Sequence, residues 1–238
     1  MKFDICLSPA LYPYYAQEND TVVVVDIFRA TTTMCTMLKN GASAVIPVAT
    51  IEEARSYKEK GFLVGGERNA RKIDFADFGN SPFDYTKQIV KDKEVVFTTT
   101  NGTQAIDAAK ESRTLLIGAF SNIDALAEYC LETAERVVIL CAGWKNRVNV
   151  EDTLFGGALA ERLIAQTTVR ADSDTVRMAM DMWERAKKDP IEFVKPSDHY
   201  KRLVINGAES DIPYCFEKNS TPVVPVYDKV EGKLAVSC

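Results

Sequence analysis

Apolar residues in this chain come in short β-branched runs, separated by longer stretches whose apolar positions recur with helical spacing. The runs predict strands near Phe3–Leu7, Thr21–Ile27, Ala44–Val48, Leu63–Gly65, Glu94–Thr98, Thr114–Ile117 and Arg136–Cys141. The stretches between them predict helices near Thr32–Asn40, Ile51–Lys60, Thr103–Lys110, Asn122–Glu132 and Asp152–Ala165. Runs such as VVVV and RVVIL are apolar at successive rather than alternate positions. Both strand faces must then be covered, which suits a parallel sheet between helices. The repetition of strand and helix therefore predicts an α/β fold of three layers, α/β/α, with a mostly parallel sheet. The pattern changes in the last third. Thr175–Lys188 reads as a Met- and charge-rich helix, and TPVVPVYDKVEGKLAV reads as a Pro-limited edge strand plus a hairpin. No repeat, low-complexity tract or linker divides the chain, so 1–238 is expected to form one catalytic unit, arranged as two closely associated lobes.

Composition narrows the partners more than the fold. The 238 residues are 46% hydrophobic and 26% charged, ordinary for a globular protein. With 29 Lys and Arg against 34 Asp and Glu, and no basic cluster, nothing suits a nucleic acid. No apolar run approaches the roughly 20 residues needed to span a membrane, and the N-terminus MKFDICLSPALYPYY has no signal-like apolar region. The six cysteines form no CxxC pair, which favours reduced thiols in a cytoplasmic protein. One histidine, His199, excludes a multi-histidine zinc site and permits a Ser-His-Asp triad only around itself. A hydrolase of this composition would lean on carboxylates and a hard metal ion.

Open parallel sheets bind ligands at the carboxyl ends of their strands, and three strand ends here enter polar loops that open a helix. In VVVVDIFRATTT, Asp26 and Arg29 are followed by the hydroxyls of Thr31, Thr32 and Thr33; the plainer account makes Thr31 or Thr32 a helix cap. In EVVFTTTNGTQAI, the residues from Thr98 to Thr103 offer hydroxyls, and Gly102 permits close approach to an anion; a capped Thr-rich turn is the plainer alternative. In RVVILCAGWKNRVNVEDTLFGGAL, Glu151 and Asp152 open a helix. They either complement its dipole or hold Mg²⁺. Cys141 and Arg147 match a Cys-x5-Arg phosphatase spacing, but Val148 stands where a Ser or Thr is expected, so a buried structural cysteine is the stronger reading. Between the first two strand ends, Gly65-Gly66-Glu67-Arg68-Asn69 and Gly79-Asn80-Ser81 add anion-binding groups.

Taken in order, DIFRATTT, GGERN, FGNSPFDY, TTTNGT, CAG and EDTLFGGAL resemble the 2-phosphosulfolactate phosphatase family of coenzyme M biosynthesis, as do SDHYKRL and NGAESDIPYC near the C-terminus. The resemblance implies a Mg²⁺-dependent phosphatase that hydrolyses 2-phospho-3-sulfolactate to sulfolactate and phosphate. It implies Asp26, Glu151 and Asp152 as metal ligands, and Asp26, Glu67 and Arg29 as catalytic residues, with Glu67 orienting or deprotonating the attacking water. Arg29, Arg68, Thr31, Thr32, Asn80, Ser81, Thr99, Thr100, Asn101 and Gly102 would bind the small anionic substrate. His199 would either be structural or protonate the leaving alkoxide, and Lys145 and Arg147 have no assigned role. A homodimer is plausible. A non-catalytic binder of a phosphorylated or sulfonated molecule, and a Cys141-dependent phosphatase, stand as the competing expectations.

Overall fold

The computed structural model describes residues 1–166 and 173–236. Ten strands form one mixed sheet: β1 (Lys2–Cys6), β2 (Thr21–Val25), β3 (Ala44–Pro47), β4 (Leu63–Arg68), β5 (Arg71–Lys72), β6 (Glu94–Thr98), β7 (Thr114–Gly118), β8 (Arg136–Cys141), β9 (Pro225–Asp228) and β10 (Lys233–Val236). The helices are α1 (Ala30–Lys39), α2 (Ile51–Glu59), α3 (Lys87–Val90), α4 (Gly102–Ala109), α5 (Ile123–Thr133), α6 (Val150–Gln166), α7 (Asp174–Ala186), α8 (Pro190–Val194), α9 (Asp198–Ile205) and α10 (Ile212–Cys215). None of the described helices is long and apolar enough to cross a membrane.

The successive valines of β2 explain the layering. Val23 and Val25 pack with Ile5, Ile139, Leu154 and Leu159 in a core on one face, covered by α5, α6 and α7. Val22 and Val24 pack with Met34, Leu38, Ile106 and Leu140 on the other face, under α1 and α4. A strand buried on both faces has no solvent side to mark with polar residues, hence the unbroken run. The cover over β1 is tight: a Cβ on Gly157 of α6 would lie 2.1 Å from the Ala179 carbonyl oxygen of α7.

The strand order is β1-β8-β2-β7-β9-β10-β3-β6-β4-β5. Two parallel sets, β1-β8-β2-β7 and β3-β6-β4, flank the C-terminal hairpin β9-β10, which runs antiparallel to β7 on one side and to β3 on the other. The edge position expected for TPVVPVYDKVEGKLAV is therefore wrong: the hairpin lies in the middle of the sheet. Pro225 is tolerated because it stands at the first residue of β9, and β9 meets β7 only at Val226 with Leu116. Similarly, among the described residues, β10 meets β3 only at Leu234 with Val45.

Counted across the hairpin, the two parallel sets have opposite strand sense. Such a sheet delivers the same strand ends to one place only if it turns sharply at the junction, and a two-stranded ribbon twists more than a broad sheet. The loops after β2, β6 and β8 do touch. Asn101 Oδ1 accepts from the Lys145 amide at 3.1 Å, and Gly102 packs on Asp26.

Candidate active site

Asp26 leaves β2 buried, and the threonines after it fold back onto their own loop. Thr31 Oγ1 accepts from the Asp26 amide and donates to the Asp26 carbonyl, both at 3.0 Å. Thr32 donates to the Ile27 carbonyl at 3.1 Å and Thr33 to the Asn80 carbonyl at 3.0 Å. Neither Thr31 nor Thr32 caps the helix. It begins earlier, at Ala30, with Arg29 at the cap position and no side-chain cap bond, because the hydroxyls reach back to carbonyls at the strand end instead. Ala30 N–H, the first amide of α1, reaches the Asp26 carboxylate, while Thr31 N–H donates to the Asp26 carbonyl at 3.1 Å. Burial pushes the Asp26 carboxyl up to about 7; His199 opposes this, while the charges of Glu67 and Glu151 add to it.

The second parallel set brings α4 against the same carboxylate. A Cβ on Gly102 would stand 2.5 Å from Ala30 Cβ and 2.9 Å from Asp26 Oδ2, so only glycine lets the two helix N-termini meet. Two N-termini converging at one point make a strongly anion-attracting place. Glu67 holds the loop before α4. Its Oε1 accepts from the Thr100 amide at 2.7 Å, and its Oε2 accepts from the Thr100 hydroxyl at 3.1 Å and the Ala70 amide at 2.6 Å. Thr99 and Thr103 exchange amide-to-hydroxyl bonds across the helix start. Arg68 donates to Thr98 Oγ1 at 2.8 Å and to the Glu67 carbonyl at 2.7 Å, which ties it to the loop's framework.

The third strand end supplies two carboxylates with different partners. Asp152 accepts from Ile27 N–H at 2.9 Å on Oδ1 and from Gly143 N–H at 3.1 Å on Oδ2, so it laces the turns after β2 and β8 together. Burial, then Glu151 and Asp26, hold its carboxyl well above the usual range. Glu151, also fully buried, places Oε1 2.5 Å from His199 Nδ1, whereas its Oε2 has no hydrogen-bond partner. With Nδ1 committed to Glu151, Nε2 is the ring nitrogen left for other chemistry. Asn149 Nδ2 also lies 3.1 Å from Nδ1.

Cys141 ends β8 fully buried. Burial, with Asp152, Cys6 and Glu151 nearby, drives its thiol well above its ordinary range, the opposite of an activated nucleophile. Cys141→Ser is expected to retain activity within about threefold; a loss of more than about 10²-fold in phosphate release would restore the thiolate mechanism.

The segment carrying α9 and α10 closes the site from above. Arg29 is paired with Asp211, whose Oδ1 also accepts from Ser81 Oγ at 3.0 Å. Arg202 stacks over the Trp144 ring, 4.1 Å from its centroid. Beneath them lies a cleft lined by Asp26, Arg29, Glu67, Asn80, Asn101 and, from the closing segment and the loop after β8, Trp144, His199 and Arg202. Its free volume is about 10 Å³, room for roughly one water, so a phosphoester fits only when the lining opens. Thr31, Thr32, Arg68, Ser81, Thr99, Thr100 and Asp152 stand behind this lining and shape it through the bonds just described.

Sequence reasoning gave Arg202, Trp144 and Asp211 no role, and left His199 more structural than chemical. The signal was present. His199 and Arg202 are three apart on a helix capped by Ser197, which puts them on one face.

Among the described residues, no three His, Cys, Asp or Glu side chains are grouped to hold a metal ion. Mg²⁺ asks for less, commonly one or two carboxylates completed by substrate phosphate and water. Asp26, together with the buried, unpartnered Asn80 Oδ1 on the same cleft and Glu151 Oε2, offers the hard oxygen donors such a cation takes.

The family described as 2-phosphosulpholactate phosphatase matches residues 6–230. The chain belongs to that family. Its relatives include a probable 2-phosphosulfolactate phosphatase of Thermotoga petrophila, 41% identical over 208 residues, which cover 87% of this chain and 89% of that one. A probable 2-phosphosulfolactate phosphatase of Clostridium novyi is 36% identical over 230 residues, 95% and 97% of the two chains. One of Clostridium acetobutylicum is 36% identical over 234 residues, 97% and 99%. In this member of the 2-phosphosulfolactate phosphatase family, the matched span takes in every loop that lines the cleft, together with β2, which Asp26 follows, and β8, which Cys141 ends.

Proposed function

We infer that this chain hydrolyses 2-phospho-3-sulfolactate to 3-sulfolactate and phosphate, with Mg²⁺ as cofactor. The observation that carries the reading is the buried Asp26 carboxylate at the meeting point of two helix N-termini, inside a closed cleft that also holds Arg29. A pure anion binder gains nothing from a carboxylate there, whereas phosphoryl transfer needs both charge neutralisation and a place for a cation. Family membership and the names of the relatives supply the substrate.

Mg²⁺ held by Asp26, with Asn80 Oδ1 and Glu151 Oε2 as the further protein donors, would neutralise phosphoryl charge and favour ionisation of water. The chain's own groups do the rest. The N-terminus of α4 at Gly102 orients the phosphoryl oxygens, and Arg29 takes up charge as the ester bond breaks. Glu67 fixes the Thr100–Gly102 loop so that these donors need no rearrangement when charge develops. His199, oriented by Glu151, stands as proton donor to the leaving alkoxide. Water, rather than an enzyme side chain, attacks phosphorus. Five unpaired, buried cysteines fit a cytoplasmic setting; Cys238 lies outside the described residues.

The test is phosphate release from 2-phosphosulfolactate with Mg²⁺ and after EDTA treatment. Release that falls to background with EDTA and returns with Mg²⁺ is expected. No release under either condition overturns the enzymatic reading in favour of a binder, and release that survives EDTA removes the metal.

A further inference from the structure

Among the described residues of the cleft, the Arg202 guanidinium is held in place with a whole edge unsatisfied, whereas Arg29 lacks a partner at Nε alone. Arg29 is paired with Asp211 and Arg68 is bonded to Thr98 and to a carbonyl. Lys145 points over Trp144 at 5.3 Å, outside the lining. Arg202, by contrast, has Nε and Nη2 both buried and both without a hydrogen-bond partner. These two nitrogens form the side edge of the guanidinium, where two N–H bonds point the same way and can grip two oxygens of one anion. Glu151 and Asp198 lie near enough to favour its charge but give it no hydrogen bond.

Unmade hydrogen bonds on a buried charged group are costly, so a fold that keeps this one must recover the cost when something binds. The position is also fixed in advance. Stacking on Trp144 sets the plane of the fork, and His199, one turn earlier on α9, anchors the helix to Glu151. The proposed substrate has an anion to offer. Its phosphoryl group belongs with Asp26 and the helix N-termini, which leaves a carboxylate on the reacting carbon and a sulfonate one carbon further away. A sulfonate is the more weakly hydrated of the two and gives up its water more readily to a half-buried fork against an aromatic ring. It also presents three oxygens, any two of which match the edge.

We propose that the Nε/Nη2 edge of Arg202, backed by Trp144, is the subsite that grips the sulfonate of the substrate and so sets specificity for a sulfonated phosphoester. This deepens the phosphatase reading and rests on it for the identity of the substrate.

The test compares the wild-type chain, Arg202→Gln and Arg202→Lys on 2-phosphosulfolactate and on 2-phospholactate, which lacks the sulfonate. Arg202→Gln is expected to lower kcat/KM for 2-phosphosulfolactate by about 100-fold, mainly through KM, and that for 2-phospholactate by less than about threefold. Arg202→Lys keeps the charge without the fork and falls between. Equal losses on both substrates, or none on either, overturn the subsite. Binding is measured in parallel by titrating each protein with 3-sulfolactate and with lactate. Sulfolactate should bind the wild type and bind Arg202→Gln about 100-fold more weakly, with lactate weak throughout. Equal sulfolactate binding by the two proteins, or none by the wild type, overturns the proposal. Arg202-dependent sulfolactate binding without turnover of either phosphoester would leave the subsite standing and sink the phosphatase reading. Circular dichroism and melting of Arg202→Lys show that the fold is retained where Arg202→Gln is impaired.

Discussion

Replacing Asp26 with Asn is expected to lower phosphate release by about 10³-fold or more and, at pH 8, to make the metal-free protein more stable than the wild type. The two effects have one cause. Asp26 is buried between two helix starts and near two other carboxylates, so its ionised form is costly, and its carboxyl is raised to about 7. In the unfolded chain the same group ionises near its ordinary value of 3.8. The folded state therefore binds the proton more tightly. Its stabilising contribution is complete below about pH 4 and is lost progressively as pH rises through about 7. At pH 8 the folded protein carries a buried carboxylate at a cost on the order of a few kcal/mol. Asn removes the charge and this contribution together, at nearly the same volume.

Melting temperatures at pH 5 and pH 8, without metal, check the sign. The wild type should lose more stability than Asp26→Asn on going to pH 8. Mg²⁺ at pH 8 should raise the melting temperature of the wild type and leave that of the variant unchanged. A variant that is less stable than the wild type at pH 8, or as responsive to Mg²⁺, would remove Asp26 from the centre of the site.

The second large effect is expected at Asp211. Arg29 and Asp211 are a buried ion pair that joins the loop after β2 to the segment closing the cleft, and Ser81 adds a third member. Asp211→Ala leaves a buried guanidinium with no counter-charge, in a residue whose Nε is already unpartnered. Such a change costs about 3–5 kcal/mol, or roughly 10 °C in melting temperature for a chain of this size. The closing segment loses its anchor, and activity should fall through KM more than through kcat. The double variant Arg29→Met/Asp211→Leu separates structure from chemistry. Replacing both charges with apolar groups should restore most of the stability, as the desolvation cost disappears with the charges. Activity should remain lost, because Arg29 no longer faces the phosphoryl group. Recovery of activity in the double variant would assign Arg29 to the scaffold alone.

Much of this architecture is written locally. The unbroken valines of β2 demand cover on both faces, and α5–α7 on one side with α1 and α4 on the other provide it. The end of β2 at Asp26, the start of α4 at Gly102 and the helix opening at Glu151 and Asp152 were legible because each is a change from strand to helix within a few residues. Roles within those loops were not legible. The hydroxyls of Thr31 and Thr32 look like anion donors in sequence, yet their nearest acceptors are carbonyls of their own loop, and a bond over five residues wins over one to a ligand that is not always present. Glu67 and Asp152 likewise answer to amides from distant segments, whose positions no spacing rule contains. The hairpin was misplaced for a related reason. Two prolines signal a strand that pairs poorly, and β9 does pair with β7 at a single register pair, but it does so in the middle of the sheet.

By itself, then, the sequence determined which residues form strands and helices, that the sheet is covered on both faces, and that acids and threonines gather where strands end, since all of these follow from hydrophobic period and turn chemistry along a few neighbouring residues. Tertiary structure alone decided the rest. The hairpin lies between the two parallel sets, Gly102 of one meets Ala30 and Asp26 of the other, and the C-terminal segment lays His199, Arg202 and Asp211 over a cleft whose Asp26, Glu67 and Asn80 stand more than a hundred residues earlier. Contacts of that range depend on how far a sheet twists and which helix fits beside it, quantities set by the packing of the whole chain.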